Sequence, residues 1–152
     1  MRSLASAIAF AMSLGLTVTL ALVPAEARSP QATYQNQVFS ATNQQRVKHD
    51  RPKFRKQKCV QRFAVKQARK MARQERMFHQ DLSPILRRCG LDRVGENVAY
   101  GFRSGPSAVT AWMHSTGHRR NILNRGFRLL GVGARKSDDG IWYAAQVFGR
   151  KA

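Results

Sequence analysis

Apolar positions recur at helical spacing through the middle of the chain and change to a strand-like pattern only near the C-terminus. The clearest repeat covers residues 57–77, where apolar side chains return every three or four positions, as on one face of an amphipathic helix. They are Val60, Phe63, Ala64, Ala68, Met71 and Ala72. Weaker patterns predict a helix over 34–48, a short helix stopped by Gly90, and a helix over 108–115 with Ser107 as its N-cap.

The last part of the chain predicts two strands, over 130–135 and 141–148. The Asp139-Gly140 pair between them is a strong signal for a hairpin turn. Residues 95–101 form a further short extended segment. Because helices come first and a hairpin closes the chain, the pattern indicates an α+β fold or an α/β/α sandwich.

The N-terminus has the layout of a secretory signal peptide. Arg2 precedes a mostly apolar run over 4–23, and small residues at Ala25 and Ala27 fit a cleavage site after Ala27. An uncleaved membrane anchor is the competing interpretation, because the run is about long enough to span a bilayer. The cleavage pattern favours a signal over residues 1–27, followed by a disordered lead-in over 28–33 and one domain over 34–152. No other stretch is apolar enough to span a membrane, so the mature protein is predicted to be secreted.

The predicted export of the protein determines whether its two cysteines are expected to form a disulfide. Outside the cytoplasm, two cysteines in a small domain usually pair, so we expect a Cys59–Cys89 disulfide rather than two buried thiols. Closing this loop should stabilise the fold by about 3–4 kcal/mol in the chain-entropy account.

The chain carries a formal net charge of +19 in 152 residues, which predicts attraction to polyanions. Anionic lipid head groups, phosphate-rich envelope polymers and, non-specifically, nucleic acid are the candidate partners. One face of the predicted helix over 57–77 repeats a positive charge about once per turn. This basic ridge consists of Arg62, Lys66, Arg69, Arg73 and Arg76. It is either a solvated helix face or an anion-binding surface.

Three titratable side chains stand where predicted elements break, namely His79, Glu96 and His118. Two imidazoles and a carboxylate can bind zinc with a position left open, or form a histidine–carboxylate pair for proton transfer. Their spacing does not decide between these uses. It also leaves open that Glu96 is only a loop carboxylate and His118 only a helix cap. His114 and His118 lie four residues apart, as metal ligands on a helix often do, but Gly117 is expected to end the helix between them.

Short motifs spread over most of the chain resemble those of one known family. The two most specific are Gly-Glu-Asn-Val-Ala-Tyr-Gly at 95–101 and Gly-His-Arg-x-Asn-Ile-Leu at 117–123, preceded by Ala-Trp-Met at 111–113. Further matches are Asn43 with Arg46, Phe78 with His79, Gly131-Val132-Gly133 and Tyr143-x-x-Gln146-Val147-Phe148-Gly149. Over about Val38 to Gly149 the chain resembles the CAP superfamily of cysteine-rich secretory, antigen-five and pathogenesis-related proteins. It is most similar to the short bacterial secreted members, which have an SCP domain.

The resemblance implies an α/β/α sandwich with a small central antiparallel sheet and an open cleft. The family's two cleft histidines correspond to His79 and His118, and its Gly-Glu-Asn carboxylate corresponds to Glu96. Many eukaryotic members carry a second glutamate where this chain has Ser115. A hydroxyl there removes one negative charge, which should weaken divalent metal affinity and lower the histidine pKa values.

Three function classes follow from these observations. The favoured one is a secreted ligand-binding module, since some members of the family bind sterols, fatty acids or glycans, and some hold zinc or another divalent cation between the histidines that correspond to His79 and His118. The second is a metal-dependent hydrolase, in which Glu96 acts as base or orients an imidazole. The third is a charge-driven binder of polyanions or nucleic acid, whose affinity would fall steeply with salt.

Overall fold

The computed structural model describes residues 29–151, so the predicted signal peptide lies outside the described residues. The helices are α1 Pro30–Lys48, α2 Lys58–Arg73, α3 Ser83–Cys89, α4 Gly105–His114 and α5 Thr116–Leu123, and the strands are β1 Arg55–Lys56, β2 Leu91–Tyr100, β3 Leu129–Lys136 and β4 Trp142–Lys151. Within residues 29–151, no helix combines the length and the apolar character needed to cross a bilayer.

The strands form one sheet in the order β1-β3-β4-β2, with β2 at one edge. Strands β3 and β4 make the predicted antiparallel hairpin, and Gly140 adopts a φ of +79° in its turn. Strand β2 pairs antiparallel with β4. The two-residue strand β1, which the sequence pattern does not show, pairs in parallel with Leu129 and Leu130 of β3.

Helices cover both faces of the sheet, which confirms the α/β/α sandwich. Alternate residues along a strand point to opposite faces. Ala144 and Phe148 of β4 therefore pack with α1, α4 and α5, while Ala145 and Val147 pack toward α2 and α3. The same alternation applies to edge strand β2, so consecutive side chains there reach different helix layers.

Helix α1 begins earlier than the sequence pattern indicates. The expected disordered lead-in over 28–33 is wrong from residue 30 onward, because Pro30 opens the helix. The Ser29 hydroxyl accepts a hydrogen bond from the Ala32 amide at 3.3 Å, and proline is well suited to the first helical turn. Tyr34, one turn further on, is buried in the core and holds this end of α1 against the sheet layer.

Helix α2 ends at Arg73 rather than continuing to Met77. Glu75 adopts a left-handed φ of +48°, and the Arg76 amide donates to the Met71 carbonyl at 3.2 Å. This is the hydrogen-bond pattern of a Schellman cap, which normally uses glycine at the left-handed position. Because a glutamate fills that position here, the usual signal for the end of a helix is missing from the sequence.

Two other helix boundaries differ from expectation. The N-cap of α4 is Ser104 rather than Ser107, with Pro106 in the first turn and Ser107 bonded back to Ser104 in a capping box. The break between α4 and α5 falls at Ser115, so Gly117 lies inside α5 and does not end a helix. The Cys59–Cys89 disulfide is confirmed, and it joins the start of α2 to the end of α3.

Candidate functional site

Glu96 is a buried carboxylate in edge strand β2, with a side chain that is 1% exposed. It accepts hydrogen bonds from His79 Nδ1 at 2.7 Å, from the Gln80 amide at 3.2 Å and from Gln80 Nε2 at 2.6 Å. A buried ionised carboxylate is costly unless its oxygens are satisfied by donors such as these. Glu96 is therefore held in one position by the segment between α2 and α3.

His79 presents its free ring nitrogen to solvent. Its Nδ1 must carry the proton that is donated to Glu96, because an ionised carboxylate can only accept. In the neutral ring the Nε2 lone pair is then free, on a side chain that is 60% exposed. The backbone beside it is fixed, since the buried Gln67 amide donates to the Phe78 carbonyl at 2.5 Å. The pair thus matches the carboxylate–histidine arrangement that orients imidazoles in metal sites.

His118 approaches from the opposite helix layer, in the first turn of α5. Its carbonyl accepts a hydrogen bond from Asn97 Nδ2 at 3.1 Å, which ties the start of α5 to strand β2. Burial lowers the pKa of His118 below its ordinary value of 6.5, and the nearby charge of His79 lowers it further. His118 is consequently neutral at pH 7 and keeps one unprotonated ring nitrogen.

Edge strand β2 contacts both histidine segments, because Glu96 accepts from His79 and the next residue, Asn97, donates to the His118 carbonyl. Glu96 and its neighbour Asn97 point to opposite faces of the sheet, one toward the segment after α2 and the other toward α5. His79 and His118 therefore approach the same strand from two layers.

A network of buried amides positions this edge, and the sequence pattern assigns no role to most of its members. Asn97 Nδ2 donates to Gln146 Oε1 at 3.0 Å, and Gln146 Nε2 donates to the Thr42 hydroxyl at 2.7 Å. Asn121 Nδ2 donates to Asn97 Oδ1 at 2.9 Å and to the Glu96 carbonyl at 3.0 Å. The signal that could have found them is the motifs, because Asn97, Asn121 and Gln146 each belong to one of them.

Ser115 lies three residues before His118, at the junction of α4 and α5, and its hydroxyl makes no capping hydrogen bond to α5. His114 does not join His118, because its Nδ1 bonds to the Thr110 carbonyl at 2.9 Å on an exposed helix face. His49 lies elsewhere, with its Nδ1 bonded to the Gln45 carbonyl at 2.8 Å.

The chemistry of the donor set decides how well a metal ion would fit. Within residues 29–151, no three side chains of the His, Cys, Asp and Glu types are grouped to hold one. Glu96 has both oxygens engaged by Gln80 and His79, so the available donors are one nitrogen each from His79 and His118. Zinc sites in proteins commonly have three or four protein ligands. Two imidazoles are fewer protein ligands than such sites commonly have.

The predicted basic ridge only partly matches the structure. Arg62, Lys66, Arg69 and Arg73 lie along a trough of about 810 Å³ beside α2. Arg76 is not part of it, because α2 ends before this residue and its guanidinium lies over the Phe78 ring, 5.2 Å from the centroid. The β3 strand places Arg135 in the same trough, which no sequence pattern indicates.

Replacing His79 by glutamine is expected to raise the pKa of His118. Glutamine removes the charge but retains a donor for Glu96, so the rise should stop short of 6.5, since burial is the larger cause of the shift. A pH titration of the His118 ring signals by NMR measures the change.

The same pKa shift affects stability. The unfolded chain binds a proton on His118 more readily than the folded protein does, so the wild-type protein loses stability as pH falls through 6.5. The His79→Gln variant should lose less. An unchanged midpoint of the His118 titration in His79→Gln would mean that the two rings are too far apart to interact. The control is His114→Gln, which alters an exposed histidine.

Comparison with known proteins gives consistent results. Residues 39–148 match the model of the cysteine-rich secretory protein family, CAP. The chain is 33% identical to the membrane protein YlbC of Bacillus subtilis over 110 residues, which is 68% of this chain and 32% of YlbC.

Solved structures show the same architecture. An extracellular protein containing an SCP domain from Bacillus anthracis is similar with a TM-score of 0.71 and 28% identity, over 84% of this chain and 45% of that one. An outer surface protein from Borrelia burgdorferi has a TM-score of 0.69 at 19% identity, covering 76% and 90% of the two chains, and at that identity it shows the fold alone. This chain spans less than half the length of YlbC and of the Bacillus anthracis protein.

Proposed function

The chain belongs to the cysteine-rich secretory protein (CAP) family, and on that premise we propose that it is an extracellular ligand-binding module with its site at His79, Glu96 and His118. The similarity to an extracellular SCP-domain protein of Bacillus anthracis supports this location. The predicted signal peptide and disulfide agree with export.

One observation carries the proposal, namely the hydrogen bond from His79 to buried Glu96. Burying a carboxylate to hold an imidazole that is itself 60% exposed contributes little to a hydrophobic core. It does orient the Nε2 lone pair toward solvent, where an external donor or an ion can meet it. The neutral ring of His118, held nearby by α5, supplies a second acceptor of the same kind.

Two imidazoles suit ligands that present hydroxyl or ammonium donors, or a divalent ion held jointly by His79, His118 and the ligand. Such an ion would act as a Lewis acid that attracts an oxygen of the ligand. Ser115, beside α5, adds a neutral hydroxyl in place of a second carboxylate. The site is therefore less negative than a four-group site, so it should bind an ion less tightly and tolerate anionic ligand groups better.

The proposal is tested by titrating the protein with Zn²⁺ while following the ring nitrogens of all four histidines by NMR. His79 and His118 should respond together and before His49 and His114, because the Nδ1 atoms of the last two bond to backbone carbonyls in α1 and α4. Replacing Glu96 by glutamine should weaken zinc binding by about 10–100-fold, the usual cost of losing a carboxylate that orients a ligand. Equal responses from all four rings, or unchanged affinity in Glu96→Gln, would contradict the proposed site.

Ligand binding itself is tested by native mass spectrometry of protein isolated from the culture medium. A bound mass should be present on the wild-type protein and absent from a His79→Gln, His118→Gln double variant. The matched control is a His49→Gln, His114→Gln double variant, which alters two histidines outside the site and should keep the bound mass. A ligand retained equally by both double variants would place ligand binding elsewhere.

A further inference from the structure

Three neighbouring depressions lie along α2 and α1 and are together called the groove; none is lined by His79, Glu96 or His118. Its largest part is the trough of about 810 Å³ beside α2, which Arg135 borders from strand β3. Gln61 lines this trough and also a second depression of about 370 Å³ between α1 and α2. Phe39 lines that second depression and also a third of about 610 Å³ along α1. Successive depressions therefore share a lining residue, so they lie side by side on the surface.

The groove is strongly and uniformly positive. The trough carries Arg62, Lys66, Arg69, Arg73 and Arg135. The second depression adds Lys56 and Lys58, and the third adds Lys48 and Lys53. Among residues 29–151, no aspartate or glutamate lines any of the three. No carboxylate in the described lining neutralises these nine cations, so the groove has a positive potential that attracts an external polyanion.

The cations are regularly placed on a fixed framework. Along α2 they recur at intervals of four, three and four residues, which gives about one charge for each 5–6 Å of helix. Gln61 holds α2 to β3 by two hydrogen bonds with Val132, at 2.6 Å to its carbonyl and 2.8 Å from its amide. Arg135 therefore keeps its place opposite the α2 cations. A linear polymer with one charge in each repeat unit matches this arrangement better than a flat lipid surface does.

The lining also indicates which kind of polymer fits. Proteins that bind single-stranded nucleic acid stack successive bases on aromatic side chains. The groove offers Phe39 alone among its described lining, and the Lys56 ammonium already lies 5.0 Å from the centre of that ring. Amide groups from Gln35, Asn36 and Gln57 line the middle part and can bond to hydroxyl groups between phosphates.

We infer that this groove binds a linear, base-free phosphodiester polymer of the cell envelope through its backbone phosphates. The site is separate from His79, Glu96 and His118, so the inference stands independently of the ligand-binding proposal. Polymer binding should be unaffected by Glu96→Gln.

The test uses a fluorescently labelled abasic phosphodiester oligomer as probe, with binding measured by anisotropy over a series of salt concentrations. An Arg62→Gln, Arg69→Gln, Arg73→Gln triple variant should bind at least about tenfold more weakly than the wild type. The slope of log affinity against log salt should fall by about 2, since each phosphate contact with a single strand contributes roughly 0.7. Circular dichroism establishes that α2 is retained.

A matched control removes the same charge elsewhere. Arg103, Arg120 and Arg125 are exposed and line none of the three depressions, so their triple glutamine variant has the same net charge. Its affinity should fall by less than about threefold. Equal losses in the two triple variants would show that net charge alone attracts the probe, and the groove would then have no role.

Two further probes separate the alternative occupants. An oligothymidine of the same length and charge should bind within about threefold of the abasic oligomer, because the single aromatic ring in the described groove lining, Phe39, already has the Lys56 ammonium beside it. Tighter binding of oligothymidine by about tenfold or more would identify a nucleic-acid site and overturn the inference. Vesicles of mixed anionic and neutral phospholipid should not distinguish the two triple variants. A membrane-binding surface would be identified instead by two results together. The groove variant would lose vesicle binding, and the wild type would not bind the abasic oligomer.

Discussion

Replacing Arg46 by methionine is expected to lower the free energy of unfolding by about 3–5 kcal/mol, because a buried charged donor is removed and its partners are left unsatisfied. Arg46 is fully buried near the end of α1. Its guanidinium donates to the carbonyls of Pro52 at 2.6 Å, Ile122 at 2.7 Å, Asn124 at 3.0 Å and Phe127 at 3.5 Å. Methionine fills much of the same volume but donates to none of these oxygens.

The effect extends beyond local packing, because Arg46 joins three separate parts of the chain. Its bonds connect α1 to the segment before β1, to the end of α5 and to the loop that leads into β3. Burial lowers the pKa of Arg46 to about 10, with smaller contributions from Arg128 and Arg51, so the side chain is still charged at pH 7. The ring of Phe54 lies 3.8 Å from the guanidinium carbon and compensates part of the burial cost.

Chemical denaturation measures this loss, and Arg46→Lys separates charge from geometry. Lysine keeps the charge but cannot reach four carbonyls with one ammonium group, so it should be nearly as destabilising as methionine. Exposed Arg103→Met is the matched control and should change stability by less than about 0.5 kcal/mol. A loss below about 1 kcal/mol for Arg46→Met would mean that water replaces the guanidinium without difficulty.

Replacing Gly133 by alanine is expected to destabilise the fold by about 3 kcal/mol or more, because the added methyl group has no space between β3 and α2. A Cβ atom at this position would lie 2.0 Å from the Ala64 carbonyl oxygen and 2.3 Å from its carbon. Both are backbone atoms of α2, so no side-chain rotation relieves the overlap. The helix has to move away from the sheet, and the buried contacts of Val60, Ala64 and Ala68 loosen with it.

Thermal unfolding compares this variant with Gly117→Ala, which adds the same methyl group in open space within α5. Alanine has the higher helix propensity, so Gly117→Ala should stabilise the protein by about 0.5–1 kcal/mol. Gly133→Ala should also weaken binding of the abasic phosphodiester oligomer, since α2 and Arg135 form opposite sides of the groove. A Gly133→Ala protein as stable as the wild type would show that α2 can shift without cost.

Local patterns predicted those parts of the fold that depend on neighbouring residues. The amphipathic repeat identified α2, the Asp139-Gly140 pair identified the β3–β4 hairpin, and the cysteine count with an exported layout identified the disulfide. The missed boundaries have local causes that the usual signals do not report. Glu75 ends α2 where a glycine is normally found, and Ser115 rather than Gly117 separates α4 from α5.

The candidate site was only partly accessible from the sequence. His79, Glu96 and His118 were selected as groups at element breaks and by resemblance to a family. The hydrogen bond between His79 and Glu96, and the approach of His118 from the other layer, required the structure. Asn43 and Arg46 were likewise noted as a motif, whereas their bonds to Phe54 and to remote carbonyls could not be inferred.

The sequence by itself determined the helices and the hairpin, because periodicity and turn chemistry act over a few residues. It also identified the disulfide and the chemically distinctive side chains. The tertiary structure alone decided that β2 lies at the sheet edge, that His79 bonds to Glu96 there, and that Arg135 lines the same trough as the cations of α2. Those relations depend on strand order and layer packing between residues far apart in the chain, where burial and backbone pairing act and local propensity carries no information.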